Sequence, residues 1–191
     1  ADGKVYGRGA LDMKGGLAAI LGAVAALKSL DLVSALRDFA RSGRPLLGVC
    51  LGQQLLMSES EEFGHTPGLG LIPGKVVRLE PGQRAGGRAH KVPFVGWNAI
   101  GRAQGGGDWT ASPLNGLAEG SQVYFVHSFH TRPLAAAHRL AVTRYGALEY
   151  CAAIMAGNVC GVQFHPERSG SEGLRIYRNF AAQVRQAKVP A

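Results

Sequence analysis

The stretch Pro45-Leu-Leu-Gly-Val-Cys-Leu-Gly-Gln-Gln54 decides the reading of this chain. A short apolar run rises to a cysteine bracketed by Gly48 and Gly52, then turns at once into the helix-compatible Gln53-Gln-Leu-Leu-Met57. A strand that ends on Cys50 and passes straight into a helix delivers a thiol onto a sharp turn, a nucleophile elbow. The glycines are expected to serve that turn, because a nucleophile held in a strained backbone leaves no room for side chains two residues to either side. At a helix N-terminus the exposed N–H groups and the helix dipole are expected to favour thiolate over thiol. Taken alone, the same stretch also reads as a small buried cysteine closing a core strand.

Working outward, Leu32, Val33, Leu36, Phe39 and Ala40 recur at helical spacing before the elbow, and Ser42-Gly43 stops that helix. After it, Gly64 to Gly74 is a turn-rich connection. Val76 to Leu79 reads as a short strand, Arg84 to Arg88 as a mobile loop, and Val92 to Ile100 as a strand with an exposed-looking Phe94 and Trp97. Strands are expected at Gln122–Val126, Leu140–Arg144, Cys151–Met155 and Val159–Phe164, and a closing helix at Gly173–Gln186. With 191 residues, 46% of them hydrophobic, the chain can bury one well-formed core.

Composition excludes several function classes. No apolar run approaches a membrane span and no basic-then-apolar leader is present, which implies a cytoplasmic protein with no membrane partner. Three cysteines, Cys50, Cys151 and Cys160, are odd in number and not at metal-ligand spacing, so reduced thiols are expected, with no metal and no cofactor. The formal charge of +8 comes from dispersed residues without a compact basic tract, so no nucleic-acid partner is expected.

The run Gly161-Val-Gln-Phe-His-Pro-Glu167 supplies what a cysteine nucleophile lacks. His165 and Glu167 lie two residues apart and so on one side of an extended chain, with Pro166 stiffening the spacing. A thiol needs a base to take its proton, and an imidazole needs a carboxylate to fix its tautomer. Cys50, His165 and Glu167 fill those catalytic roles.

Gly48-Val-Cys-Leu-Gly-x-Gln54 and Gly161-Val-Gln-Phe-His-Pro-Glu167 resemble the two signatures of the class I glutamine amidotransferases. Ser60-Glu-Glu62, Gly68-Leu-Gly-Leu-Ile-Pro-Gly74, Lys91-Val-Pro with Gly96-Trp-Asn98, and Tyr124-Phe-Val-His-Ser128 are similar to the glutaminase subunits of imidazole glycerol phosphate synthases. The likeness runs from about residue 31 to 184. It implies an α/β, flavodoxin-like fold with a mixed sheet, and a glutaminase that takes glutamine as substrate and passes ammonia to a cyclase subunit in histidine biosynthesis. It further implies Leu51 N–H as an oxyanion donor, Gln54, Glu62, Ser128 and Phe129 around the substrate, and Lys91, Trp97 and Asn98 on the face toward the cyclase. Phe94 stands where the family has a histidine.

Residues 1–30 read differently. Gly7-Arg-Gly-x-x-Asp12-x-Lys-Gly15 resembles a fragment of the dimetal aminoacylase and peptidase family, in which the residue matching Asp12 bridges two metals. The other ligands of such a site are not found, so Asp12 is expected to be a capping or surface carboxylate and the segment not to form an independent domain, with the amidotransferase domain at 31–191. The family's first strand, helix and Pro-Gly-x-Gly oxyanion loop are not found before the helix near Asp31. The N-terminal part is therefore expected to be truncated or replaced and the activity impaired. Two further readings stay open: a catalytically silent scaffold that docks a cyclase, and a metallohydrolase fragment built on Asp12.

Overall fold

A computed structural model describes residues 32–83 and 89–187. The peptidase-like segment with Asp12 and the loop expected at Arg84–Arg88 lie outside the described residues. The chain divides into two units, Ala1–Asp38 and Phe39–Ala191. The first is described only through the opening of helix α1 (Leu32–Arg41). The helix stops as expected at Gly43, whose φ of 79° suits glycine and whose N–H reaches the Ala40 carbonyl at 3.2 Å.

In the second unit, β1 (Leu46–Val49) leads into α2 (Leu51–Leu55), then β2 (Met57–Ser60), β3 (Thr66–Pro67) and β4 (Ile72–Arg78). Strands β5 (Phe94–Ala99) and β6 (Gly101–Arg102) precede β7 (Gln122–His127) and β8 (Phe129–Pro133). The chain closes with β9 (Arg139–Tyr145), β10 (Leu148–Ala156), β11 (Val159–Val162) and α3 (Gly170–Gln186). A five-stranded mixed sheet runs β1-β11-β10-β9-β6, parallel between β1 and β11 and antiparallel elsewhere. A second sheet runs β3-β2-β4-β8, and β5 pairs with β7. The expected mixed α/β architecture is the one found.

The helix expected to run through Met57 stops at Leu55. The carbonyls that would continue it are taken by the glycine-rich connection: Leu69 N–H bonds Leu55 O at 2.8 Å, and Leu71 and Ile72 both bond Leu56 O at 3.0 Å. A Cβ at Gly68 would fall on the Met57 carbonyl oxygen, so that capture requires glycine. Met57 then turns into β2, pairing with Ile72.

The main core packs Phe125, Tyr150, Phe164 and Trp109 together with Leu140, Val162 and Ile176 of α3. Phe125 meets the Phe164 ring edge-on at 5.7 Å, and Trp109 Nε1 donates to Leu140 O at 2.7 Å, so the indole is buried without leaving a polar group unpaired. Phe94, expected at the surface, belongs to this core: it is 9% exposed and stacks on Tyr145 at 4.3 Å between centroids. The alternation of β5 puts Phe94 inward, whereas Val95 and Trp97 are exposed.

Candidate active site

The elbow is built as the sequence implies, with one correction. Parallel pairing sets Val49 opposite Val162, and the Cys50 N–H then donates to Val162 O at 2.7 Å. Cys50 takes φ 51° and ψ −105°, a conformation that non-glycine residues rarely hold. A Cβ at Gly48 would stand 2.5 Å from the Gly52 carbonyl carbon, so Gly48 is obligatory. Gly52 itself faces open space. The steric demand for glycine therefore holds only on the N-terminal side of the nucleophile.

The expected thiolate is not the resting state. Burial pushes the Cys50 thiol up from 9.0 to about 11, while the Leu51 N–H and the Gln163 amide lower it, and the negative charges of Glu167 and Glu62 raise it further. The helix that begins at Leu51 has five residues, too short for its dipole to outweigh desolvation.

His165 and Glu167 come together, but not on an extended strand. β11 ends at Val162, and Pro166–Arg168 form a 3-10 turn that brings Glu167 Oε1 to His165 Nδ1 at 2.6 Å. A carboxylate only accepts, so Nδ1 carries the proton and Nε2 is left as an acceptor. Nε2 is buried and has no partner among the described residues. The turn is fixed on every side. His165 N–H donates to Tyr124 O at 2.8 Å, buried Ser169 donates its hydroxyl to His165 O at 2.6 Å, and Tyr177 donates to Glu167 Oε2 at 3.3 Å. A Cβ at Gly173 would collide with the Pro166 carbonyl, which lets α3 close against the turn.

Gln54 is held inside the fold. It is 9% exposed and its Nε2 donates to Phe129 O at 2.9 Å and to Gln163 Oε1 at 3.2 Å. Gln163, fully buried, passes the contact on by directing its own Nε2 at Cys50 Sγ, 3.7 Å away. Gln163 was not singled out from the sequence. The available signal was an amide on an otherwise apolar strand, a group that must find a partner when buried. Glu62 is half-buried, and desolvation raises its carboxyl above the usual range. Ser128 and Phe129 are half-buried at the β7–β8 junction, with Ser128 O accepting from Leu79 N–H at 2.8 Å. Phe129 O also meets His127 Nδ1 at 2.9 Å.

The face expected to meet a partner divides in two. Trp97 is 54% exposed and edge-on to Tyr124 at 5.9 Å, and the Arg168 guanidinium lies 4.4 Å over the other ring of that pair, Tyr124. Lys91 is exposed while its carbonyl accepts from Tyr145 OH at 3.0 Å. The Asn98 amide is committed to the fold, donating to Arg144 O at 2.8 Å. Among the described residues no three His, Cys, Asp or Glu side chains are placed to share a metal ion, and no helix is long and apolar enough to cross a membrane.

The glutamine amidotransferase class-I family matches residues 19–184, and the peptidase family M20/M25/M40 matches residues 1–36. The chain is 44% identical over 154 residues to imidazole glycerol phosphate synthase subunit HisH 1 of Legionella pneumophila, covering 81% of this chain and 72% of that protein. It is 48% identical over 159 residues to the HisH subunit of Methanosarcina mazei, with the shares again 81% and 72%. The HisH subunit of Moorella thermoacetica is 42% identical over 172 residues, 90% of this chain and 76% of that one. Among solved structures, a glutamine amidotransferase superposes with a TM-score of 0.57 at 21% identity, over 83% of this chain and 70% of that one. The glutaminase domain of Trypanosoma brucei CTPS with bound acivicin gives 0.56 at 20%, over 84% and 68%. At those identities the structural likeness speaks for the fold. By its sequence relatives, the chain belongs to the class I glutamine amidotransferase family, among the HisH subunits of imidazole glycerol phosphate synthase.

Proposed function

We propose that this chain is the glutaminase subunit of an imidazole glycerol phosphate synthase, releasing ammonia from glutamine through a thioester on Cys50 and passing it to a cyclase subunit. The observation that carries the reading is the strained Cys50 at the end of β1, beside a β11 that continues into a His165–Glu167 pair whose Nε2 is unpartnered. In this mechanism His165 Nε2 takes the thiol proton as sulfur attacks the side-chain amide carbon. The thiol starts neutral, so proton transfer and attack are coupled and glutamine is not met by a standing thiolate.

Leu51 N–H receives the developing oxyanion. Collapse of the tetrahedral intermediate breaks the C–N bond, and His165 returns its proton to the departing ammonia. His165 then activates a water that cleaves the thioester to glutamate, while Glu167 holds the ring and stabilises the imidazolium. Gln54, Glu62, Ser128 and Phe129 surround the substrate, Glu62 pairing its ammonium group. Gln163 positions the sulfur. Lys91, Trp97 and Asn98 form the side that meets the cyclase, with Trp97 as the exposed anchor.

The deciding experiment measures glutamate release from glutamine with the cyclase subunit added, for the wild-type chain and for Cys50→Ala. Release that depends on Cys50 supports the reading, and release indifferent to the substitution overturns it. The neutral resting thiol favours one second reading, a scaffold that binds a cyclase without turnover; saturable binding of the cyclase with no glutamate released identifies that case.

A further inference from the structure

The second sheet has a face that the glutaminase chemistry does not use. In the β4–β8 ladder, Val76 pairs with Thr131, and Thr131 accepts from Gln53 of α2 at 2.9 Å, so that face serves the elbow. The neighbouring pairs, Lys75 with Arg132 and Val77 with His130, point to the opposite face. There a cavity of about 480 Å³ opens between β4–β8 and β9–β10, with Arg78, Arg132 and Arg139 among its walls and His130 and Tyr150 buried at its base.

Two features of the cavity run against a closed, self-satisfied surface. Lys75 and Arg132 are directly opposed across an antiparallel ladder, a placement of like charges that costs stability. Lys75 is compensated by Glu59 and Glu61 at 3.8 and 3.7 Å, and Arg139 by Glu149 at 3.5 Å. Arg132 and Arg78 have no carboxylate partner among the described residues. Beneath them His130 is 4% exposed and sets its Nδ1 3.2 Å from Thr131 O, which leaves Nε2 as the acceptor nitrogen of the ring.

We propose that this cavity binds a small phosphate monoester carrying hydroxyl groups. The Arg132 guanidinium fork and the Lys75 ammonium opposite it take the phosphate oxygens. His130 Nε2 and the wall carboxylates Glu80 and Glu149 accept from hydroxyls. The volume lies within the range of metabolite pockets and exceeds what a lone phosphate fills. Burial of His130, helped by the positive charge of Arg132, holds its imidazole neutral with a pKa of about 4, consistent with its serving as an acceptor.

The test is calorimetric titration of the full chain with inorganic phosphate and with glycerol phosphate, against sodium chloride at matched ionic strength. Saturable binding of glycerol phosphate is expected. It should weaken at least about 10-fold in Arg132→Gln combined with Lys75→Gln, and less in Arg132→Lys, which keeps the charge and loses the fork. Arg132→Gln should also raise thermal stability, because it removes the opposition to Lys75, so lost binding cannot be put down to unfolding. Glu80→Gln should weaken glycerol phosphate and spare inorganic phosphate. The proposal is overturned by no saturation up to about 10 mM of either probe, by unchanged binding in the double variant, or by an equal response to chloride.

Discussion

Cys50 and Phe63 are the two non-glycine residues among those described that hold a positive φ, 51° and 59°, and they hold it for different reasons. Phe63 is 87% exposed on a turn and is followed by Gly64 at φ 95°, so its conformation is local and little around it depends on it. Cys50 is held from several sides. Its N–H is committed to Val162 O and its carbonyl to Gln54 N–H, Gly48 rests on the backbone of Gly52, and a Cβ at Gly161 would stand 2.8 Å from Gln53 Cγ. Strain of this kind costs of order 1–3 kcal/mol wherever it occurs. At Phe63 it can relax, and at Cys50 the packing of α2 on β1 and β11 prevents relaxation. Strain held by its surroundings is what keeps a thiol at one position and angle.

The comparison breaks first at Gly48. Gly48→Ala drives a methyl into the Gly52 backbone and should cost about 3 kcal/mol in urea unfolding, whereas Gly52→Ala, in open space within a helix, should be neutral or stabilising by up to about 1 kcal/mol. Equal costs for the two would show that the elbow is not held as described. The next effect concerns reactivity. With its pKa pushed from 9.0 to about 11, Cys50 is thiolate about 100-fold less often at neutral pH than an ordinary thiol. Iodoacetamide should therefore label the glutamine-free protein slowly, with a rate rising about tenfold per pH unit until the thiol ionises. Cys151 and Cys160, buried and pushed to about 12, should lag behind it. Labelling at neutral pH as fast as free cysteine would sink the neutral-thiol mechanism.

Cys50, His165 and Glu167 were legible because local chemistry demands them: glycine before a strained turn, a base, and a carboxylate within reach of that base. What escaped the sequence depends on partners distant along the chain. Nothing in Gln53-Gln-Leu-Leu-Met57 announces that its carbonyls will be claimed by Leu69 to Ile72, so a five-residue helix read as a longer one. Phe94 looked exposed because its partner Tyr145 lies 51 positions on (145 − 94), on a strand of another sheet, a packing that no local pattern encodes. Gln163 reads as one alternating residue of a strand until Gln54 and Cys50 are brought to it. Thiolate character was overestimated because the helix dipole can be inferred from sequence whereas the opposing desolvation cannot.

The smaller effects separate the two strained residues directly. Cys50→Gly and Cys50→Ala both remove the nucleophile, but glycine tolerates positive φ and alanine does not. The glycine variant should be more stable than the alanine variant by about 1 kcal/mol, the part of the strain that survives the greater unfolded-state freedom of glycine. Calorimetric unfolding of the two side by side gives the difference, and a more stable alanine variant would show that the elbow stores no torsional strain. Phe63→Gly should do less, a gain below about 1 kcal/mol, because the exposed turn already shares its distortion with Gly64 and no packed element opposes relaxation. If Phe63→Gly instead stabilised the chain as much as glycine does at position 50, strain at the elbow would be no different in kind from strain on an open turn, and the enclosure of Cys50 by Gly48, Gly161 and Gln54 would not be what fixes the thiol.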